Sequence, residues 1–254
     1  NKRSKNSKKY FMPKVCPCCK SKTYKKKDEV ALRCSGKLSF CEAQQMEYLE
    51  YFVSRNAFNI DGLGGKNLKK FWKEGFIKYP YDIFYLNKYK NQIVNKDGFG
   101  EKSYLNLINS INSKKKISLD KFIYSLGIPQ VGQRTSKIFA KHFKNFHNWF
   151  ESMKKIKLDK KNTYNQLINI DGIGPDALND IKNFFDKEKI LIVKKLSKAL
   201  DQIEEYKINK NINSRISEKV IVFTGTLKNI SRSEAKSKAE ELGAKVASTV
   251  SNNT

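Results

Sequence analysis

The chain has 254 residues, 39% of them hydrophobic, enough for more than one modest core. Its 51 Lys and Arg against 25 Asp and Glu leave a net charge of +26, a field that attracts polyanions, of which nucleic acid is the commonest soluble one; solubility alone, or a genome biased toward lysine and asparagine codons, is the bland alternative. No stretch approaches the roughly twenty uninterrupted apolar residues of a membrane span, and no basic segment alternates with a strong apolar face as a membrane-surface helix requires.

Residues 1–13 carry five basic residues and no acid, end in YFMP, and read as a tail or the end of a preceding domain. Asn1 is not an initiator methionine and VASTVSNNT stops without a closing element, so the chain is expected to be a piece of a longer protein. All five cysteines, Cys16, Cys18, Cys19, Cys34 and Cys41, fall in the first 41 residues. An odd, clustered set makes a poor disulfide framework and a good metal site for a reducing compartment. Cys16 and Cys19 form a C-x2-C knuckle, and Cys34 and Cys41 supply a second pair beyond a loop carrying Lys25, Lys26 and Lys27. Four thiolates suit structural Zn²⁺ and leave no open position for catalysis, so residues 14–48 are predicted to be a tetracysteine zinc finger. Cys18 is the spare, because x-C-x-C geometry crowds two ligands on one side of a metal. Lys20 stands where such knuckles often carry glycine.

Residues 49–203 show apolar positions three and four apart, as in DKFIYSLGI, RTSKIFAKHF and ALNDIKNFFDKEK, and predict one helical domain. Within it a phrase repeats: NIDGLGGKNL at 59–68, NKDGFGEKSY at 95–104, the looser SLGIPQVGQRTSKIF at 125–139, and NIDGIGPDAL at 169–178. A single glycine turn says little, but four such phrases at regular intervals imply a shared physical task. If each phrase turns between two short helices, the glycines Gly62 and Gly64, Gly98 and Gly100, Gly127 and Gly132, and Gly172 and Gly174 remove side chains where backbone N–H groups must approach an anion. The apolar residue between them packs inward, and Pro175 fits a first helical position. Lys66, Lys102 and Arg134 follow three of the hairpins and add point charge. Such a site grips phosphate without reading bases. The alternative is a set of hairpins that only pack on one another, and it suits the fourth best, where Asp176 replaces the base. His142 and His147 are expected on helix surfaces, and Trp72 and Trp149 in the core.

Residues 204–216 lack periodicity and read as a linker. From 217 the character changes: KVIVFTG is a β-branched run, SRSEAKSKAEELG a helix with Ser231 and Glu234 spaced as a capping box and Gly243 as its C-terminal cap, and AKVASTV a second strand. This β-α-β start, residues 217–254, is parallel and needs further strands to close.

The motifs CPCCKS, RCSGKLSFCEAQ, YFVSRNAFNIDGLGGK, FIYSLGIPQVGQRTSKIFAKHF, INIDGIG and KVIVFTGTL with SRSEAKSKAEELGAKVASTVSNNT together resemble the bacterial NAD-dependent DNA ligases, over essentially the whole chain and in that family's domain order. The resemblance implies a mainly α segment: a tetracysteine zinc finger, four helix-hairpin-helix motifs and an incomplete α/β BRCT domain, with an adenylation domain and an OB-fold upstream. It places Cys16, Cys19, Cys34 and Cys41 on the zinc ligands and the eight hairpin glycines on the minor-groove backbone around a nick. Thr224 and Gly225 match the end of the first BRCT strand, a phosphate-facing spot in some BRCT domains. The implied partner is nicked double-stranded DNA, bound by a monomer in the bacterial cytoplasm at the nucleoid. NAD and Mg²⁺ belong to domains outside this chain: no K-x-D-G occurs in the 254 residues, and no catalytic or NAD-binding residue is assigned. A stand-alone junction-binding module of a repair scaffold is the rival reading.

Overall fold

The computed structural model describes residues 11–25, 30–96, 98–158, 162–170, 172–207, 214–225, 227, 230, 232–247 and 250. Residues 1–10, Lys26 and Lys27, Ser231, the Glu234 side chain and residues 208–213 of the linker, all named in the sequence reading, lie outside them.

The first unit is a small ribbon. Strands β1 (Thr23–Lys25) and β2 (Leu32–Cys34) pair antiparallel, and Val15 bridges to Lys22 on the other side. A ribbon of three-residue strands buries too little to stand by itself, so its side chains must be held by something other than a core.

Helices dominate the rest of the chain: α1 (Glu42–Val53), α2 (Gly65–Lys73), a 3₁₀ segment (Pro80–Tyr89), α3 (Lys90–Val94), α4 (Glu101–Ser113), α5 (Leu119–Ser125), α6 (Gln133–Phe143), α7 (Phe146–Leu158), α8 (Asn162–Ile168), α9 (Pro175–Phe184) and α10 (Lys187–Ala199). Their apolar faces meet in one continuous core. Phe52 stacks on Phe58 at 4.3 Å and Phe84 closes on that pair, while Phe122, Phe146 and Phe185 surround the fully buried Trp149. Trp72 is half-buried, donating from Nε1 to Gln45 Oε1 at 2.8 Å. His142 and His147 are exposed.

Two features escape helical periodicity. Strand β3 (Lys116–Ser118) pairs parallel with β4 (Gln202–Glu204), which ties the end of the helical unit to its middle. The second is a lock between helices, in which Tyr51 Oη donates to the Tyr124 carbonyl at 3.0 Å, joining α1 to α5.

Beyond the linker, β5 (Val220–Ile221) and β6 (Lys245–Val246) pair parallel around α11 (Arg232–Glu241), the expected β-α-β start with shorter strands than the β-branched runs suggested. Gly243 follows α11 at φ +84°, where an added Cβ would come within 2.7 Å of Ser217 Oγ. Glu240 pairs with Lys137 of α6 at 2.7 Å.

Candidate metal centre and nucleic-acid interface

Four cysteines converge behind the ribbon. The Sγ atoms of Cys16, Cys19, Cys34 and Cys41 all lie within 4.8 Å of one another, with Cys16 and Cys41 3.9 Å apart and Cys19 and Cys34 3.4 Å apart. A tetrahedron of metal–sulfur bonds of about 2.3 Å has edges near 3.8 Å. Cys18, the spare, is exposed.

Local structure builds this cluster. Lys20 adopts φ +62° to close the knuckle, doing as a lysine what glycine would do without strain. Cys41 is the N-cap residue of α1, so one ligand is fixed by the first helix of the next unit. Gln44 reaches back to the Gly36 carbonyl at 2.9 Å. Gly36 donates its N–H to Cys34 Sγ at 3.2 Å, and a Cβ there would lie 2.8 Å from Ser21 Oγ and 3.0 Å from Cys19 Sγ. The turn must therefore be bare for the sulfurs to close. Hydrogen bonds from Ser21, side chain first and then backbone, lower the Cys19 thiol to about 6. The backbone amides of Cys19 and Cys18 lower Cys16 as well. Burial pushes Cys41 up to about 12 and raises Cys34, which disfavours their bare thiolates unless a cation compensates. Donor type, spacing and amide support fit a structural metal ion.

The glycine phrases become four hairpins of one design, between α1 and α2, α3 and α4, α5 and α6, and α8 and α9. Two residues before each following helix's N-cap stands a backbone in the left-handed region: Gly62 at +88°, Gly98 at +81°, Gln130 at +61° and Gly172 at +84°. In three of them the next residue donates back across the turn, Phe99 to the Lys96 carbonyl at 2.9 Å, Val131 to Ile128 and Ile173 to Ile170, both at 3.0 Å. In the third hairpin, where Pro129 precedes Gln130, this is the geometry of a type II turn, whose third position demands positive φ. In the first hairpin Asn67 Nδ2 donates to the Gly62 carbonyl and the Asp61 N–H to Ser110 Oγ, both at 2.8 Å, contacts no sequence pattern announced.

The apolar residue comes next. Leu63, Val131 and Ile173 are buried, and Phe99 packs at 5.3 Å on Phe71. Then comes the second glycine, Gly64, Gly100, Gly132 or Gly174, which is in every case the N-cap residue, extended, and without a side-chain cap for the helix behind it.

Gly127 does not share this arrangement. It closes α5 at φ +62°, and a Cβ there would meet the Tyr51 ring at 3.2 Å, so its bareness serves packing. Its assumed turn role is filled by Gln130, preceded by Pro129 at the position type II turns favour. The signal was present in Pro129 but masked by the glycine three residues away.

The charged residues share one register. Lys66, Lys102, Arg134 and Asp176 are each the second residue of their helix, and all four are exposed. The fourth hairpin thus has the backbone of the others with the opposite charge. The second hairpin also opens with an acid, Glu101, which pairs with Lys90 at 3.3 Å.

At the first glycines Gly62, Gly98 and Gly172 the left-handed backbone itself disfavours a side chain, and at Gly62 and Gly172 packing adds to it. Gly62 faces Leu107 of α4, and a Cβ at Gly172 would strike Ile138 Cδ1 at 2.7 Å. The second glycines differ: a Cβ at Gly64, Gly100, Gly132 or Gly174 would meet nothing within 4 Å among the described residues. Their backbone angles suit any residue, and Ser or Asp would cap the helix better. Among the described residues nothing accounts for four bare N-caps.

The model of the helix-hairpin-helix motif matches residues 121–193, which hold the third and fourth hairpins. The BRCA1 C Terminus (BRCT) domain model matches residues 213–254. Over all of this chain, the DNA ligases of Rickettsia bellii (strain OSU 85-389) and Rickettsia canadensis (strain McKiel) are each 42% identical, and that of Rickettsia rickettsii (strain Sheila Smith) is 41% identical. Over its full length the chain is similar to a segment of these DNA ligases. It spans 37% of the length of these ligases. The first two hairpins lie outside the matched motif range, yet their left-handed residue, inward-packed apolar residue and open N-cap repeat those of the third and fourth.

Proposed function

We propose that this chain is the part of an NAD-dependent DNA ligase that holds nicked duplex DNA, while NAD, Mg²⁺ and the adenylated lysine are supplied by other domains of the same protein. The observation that carries this reading is the set of four N-cap glycines with empty space before them. Each bares the unpaired N–H groups at a helix N-terminus, whose dipole favours an anion. A ligand that must come within hydrogen-bond distance of the backbone explains a glycine where the free protein needs none. Lys66, Lys102 and Arg134 add charge at three of the four, and the net +26 supplies the long-range field. Every group involved addresses phosphate, so binding is independent of sequence.

Zn²⁺ fits the four cysteines, where it would hold Cys41 at the start of α1 against the ribbon and fix the finger on the helical unit; it supplies no reaction step. We take residues 14–48 as the finger, 49–203 as the DNA-holding unit, 204–216 as a linker and 217–254 as part of a BRCT domain, acting as a monomer on DNA in the bacterial cytoplasm. Among the described residues no helix is long and apolar enough to cross a membrane. In the whole enzyme this grip raises the effective concentration of the nick at the reacting groups.

The test is binding of nicked duplex DNA by the 254-residue chain as salt is varied, with a parallel incubation in NAD and Mg²⁺ followed by intact-mass measurement. Binding should weaken steeply with salt, and no AMP adduct should form. Alanine at Lys66, Lys102 or Arg134 should lower the salt slope by about 0.9 for each phosphate no longer neutralised. Binding that ignores salt, or an adduct on this chain, would overturn the reading.

A further inference from the structure

The outward face of the metal ribbon has no part in the reading above. Strand β1 is its centre, with residues 13–15 on one side and β2 on the other. Successive residues alternate between faces. On the inner face lie Thr23 and Leu32, half-buried, and the ligand Cys34. On the outer face Val15 stands across from Lys22 and Arg33 across from Tyr24, and all four are exposed, Tyr24 at 44% and Val15 at 47%. A tyrosine ring flanked by an ammonium and a guanidinium is therefore displayed on the outer face of a sheet whose reverse side contributes Cys34 to the cysteine cluster.

We infer that this face, Val15, Lys22, Tyr24 and Arg33, is a contact for an unpaired DNA strand, with a base stacked on Tyr24 and neighbouring phosphates held by Lys22 and Arg33; the inference rests on the reading of the chain as a DNA-holding segment. Charge complementarity selects the occupant. Residues 11–25 contain four Lys and no Asp or Glu, and β2 adds Arg33, so the ribbon is cationic, and the apolar surface is interrupted by cations at Lys22 and Arg33. Lys26, Lys27, Asp28 and Glu29, between the two strands in sequence, are outside the described residues. Unpaired rather than paired DNA follows from the ring. A duplex base already stacks on both faces, whereas a free base offers a π-face to any exposed aromatic, and cationic residues beside it track the backbone. Frayed ends at a nick present such bases.

The experiment measures binding of the 254-residue chain to a labelled oligothymidylate and, separately, to nicked duplex. Tyr24→Leu keeps apolar bulk and removes the ring; it should weaken single-strand binding by about fivefold or more, with duplex binding unchanged. The double change Lys22→Glu with Arg33→Glu should lower the single-strand salt slope by about 1.4, two phosphates at about 0.7 each. Metal content is measured for every variant. If Tyr24→Leu loses metal, the exposed double change alone decides. In bromodeoxyuridine-substituted oligonucleotide the crosslink should map to Tyr24. Single-strand affinity unchanged in both variants overturns the inference, and the face is then left to a protein partner. Equal loss of single-strand binding on Gly100→Ser overturns it too, since the hairpins would be holding both kinds of DNA. Should the hairpin variants leave duplex binding intact while Tyr24→Leu weakens single-strand binding, the ribbon contact stands and the hairpin reading fails.

Discussion

Serine at the four N-cap glycines separates what the hairpins do for the protein from what they do for DNA. In Gly64→Ser, Gly100→Ser, Gly132→Ser and Gly174→Ser the new Cβ enters open space, and the backbone is already extended at all four positions. Serine is a better N-cap than glycine by a few tenths of a kcal/mol, because its oxygen accepts from the N–H of the second or third helical residue. Less freedom in the unfolded chain adds about 0.4–1 kcal/mol to stability. Each single variant should therefore melt at or slightly above the temperature of the parent chain. DNA binding should move the other way, since the serine oxygen takes the N–H groups a phosphate needs and its Cβ stands in the approach. Hydrogen bonds to a charged acceptor contribute about 1.5–3 kcal/mol, so losing those of one hairpin should weaken duplex affinity by roughly 10- to 150-fold. The assay pairs thermal melting with fluorescence anisotropy on nicked duplex across a salt series. Folded serine variants that bind like the parent chain would refute the backbone-donor account, leaving the basic field alone to hold the DNA.

The first-position residues should respond in the opposite sense: Gln130→Gly relieves a side chain held at φ +61°, stabilising the fold by about 1 kcal/mol, which for a chain of this size is a rise of about 2–4 °C in Tm. The purified chain should carry one zinc, retained by Cys18→Ser and lost by Cys19→Ser, as read by metal analysis; equal retention in both would mean that Cys19 is no ligand. Burial lowers the Lys189 ammonium to about 8 from an ordinary 10.5, although its Nζ lies 3.7 Å over the Tyr48 ring. Because the unfolded chain then binds more protons between those values, the parent chain should gain stability relative to Lys189→Met as pH rises from about 8 toward 10.5, and parallel melting curves across that window would show the amine to be solvated.

The metal centre was the most legible part of the sequence, because ligand spacing is local chemistry and no distant contact alters it. Cys16, Cys19, Cys34 and Cys41 come together as their spacing implied, while the knuckle's left-handed Lys20 showed in the sequence only as a missing glycine. The hairpins were legible as a repeat and illegible in register where the repeat was loose. Gly127 drew the eye from Gln130 because glycine marks every need for a missing side chain alike, and packing against Tyr51 looks in sequence like a turn. The β3–β4 pair was out of reach, since three-residue strands far apart in the chain carry no periodicity of their own. The same holds for contacts such as Ser110 to Asp61, which depend on how α4 settles against the first hairpin.

Backbone and charge are distributed differently over the four hairpins. All four offer an open N-cap, but the second helical residue is Lys66, Lys102, Arg134 and then Asp176. An acid in the first turn stabilises its own helix through the dipole, and in doing so occupies the field that would draw a phosphate. On the proposed reading the fourth hairpin would hold phosphate by backbone donors alone, against a local negative charge, while the third would hold it by donors and a guanidinium. Gly174 decides its role more than Asp176 does. Had the fourth hairpin been only a packing element, the Ile138 contact would explain Gly172, and nothing would require Gly174 to be bare. Its open N-cap groups the fourth hairpin with the other three, and on the proposed reading it would be a phosphate contact weakened by Asp176, with the grip graded along the segment.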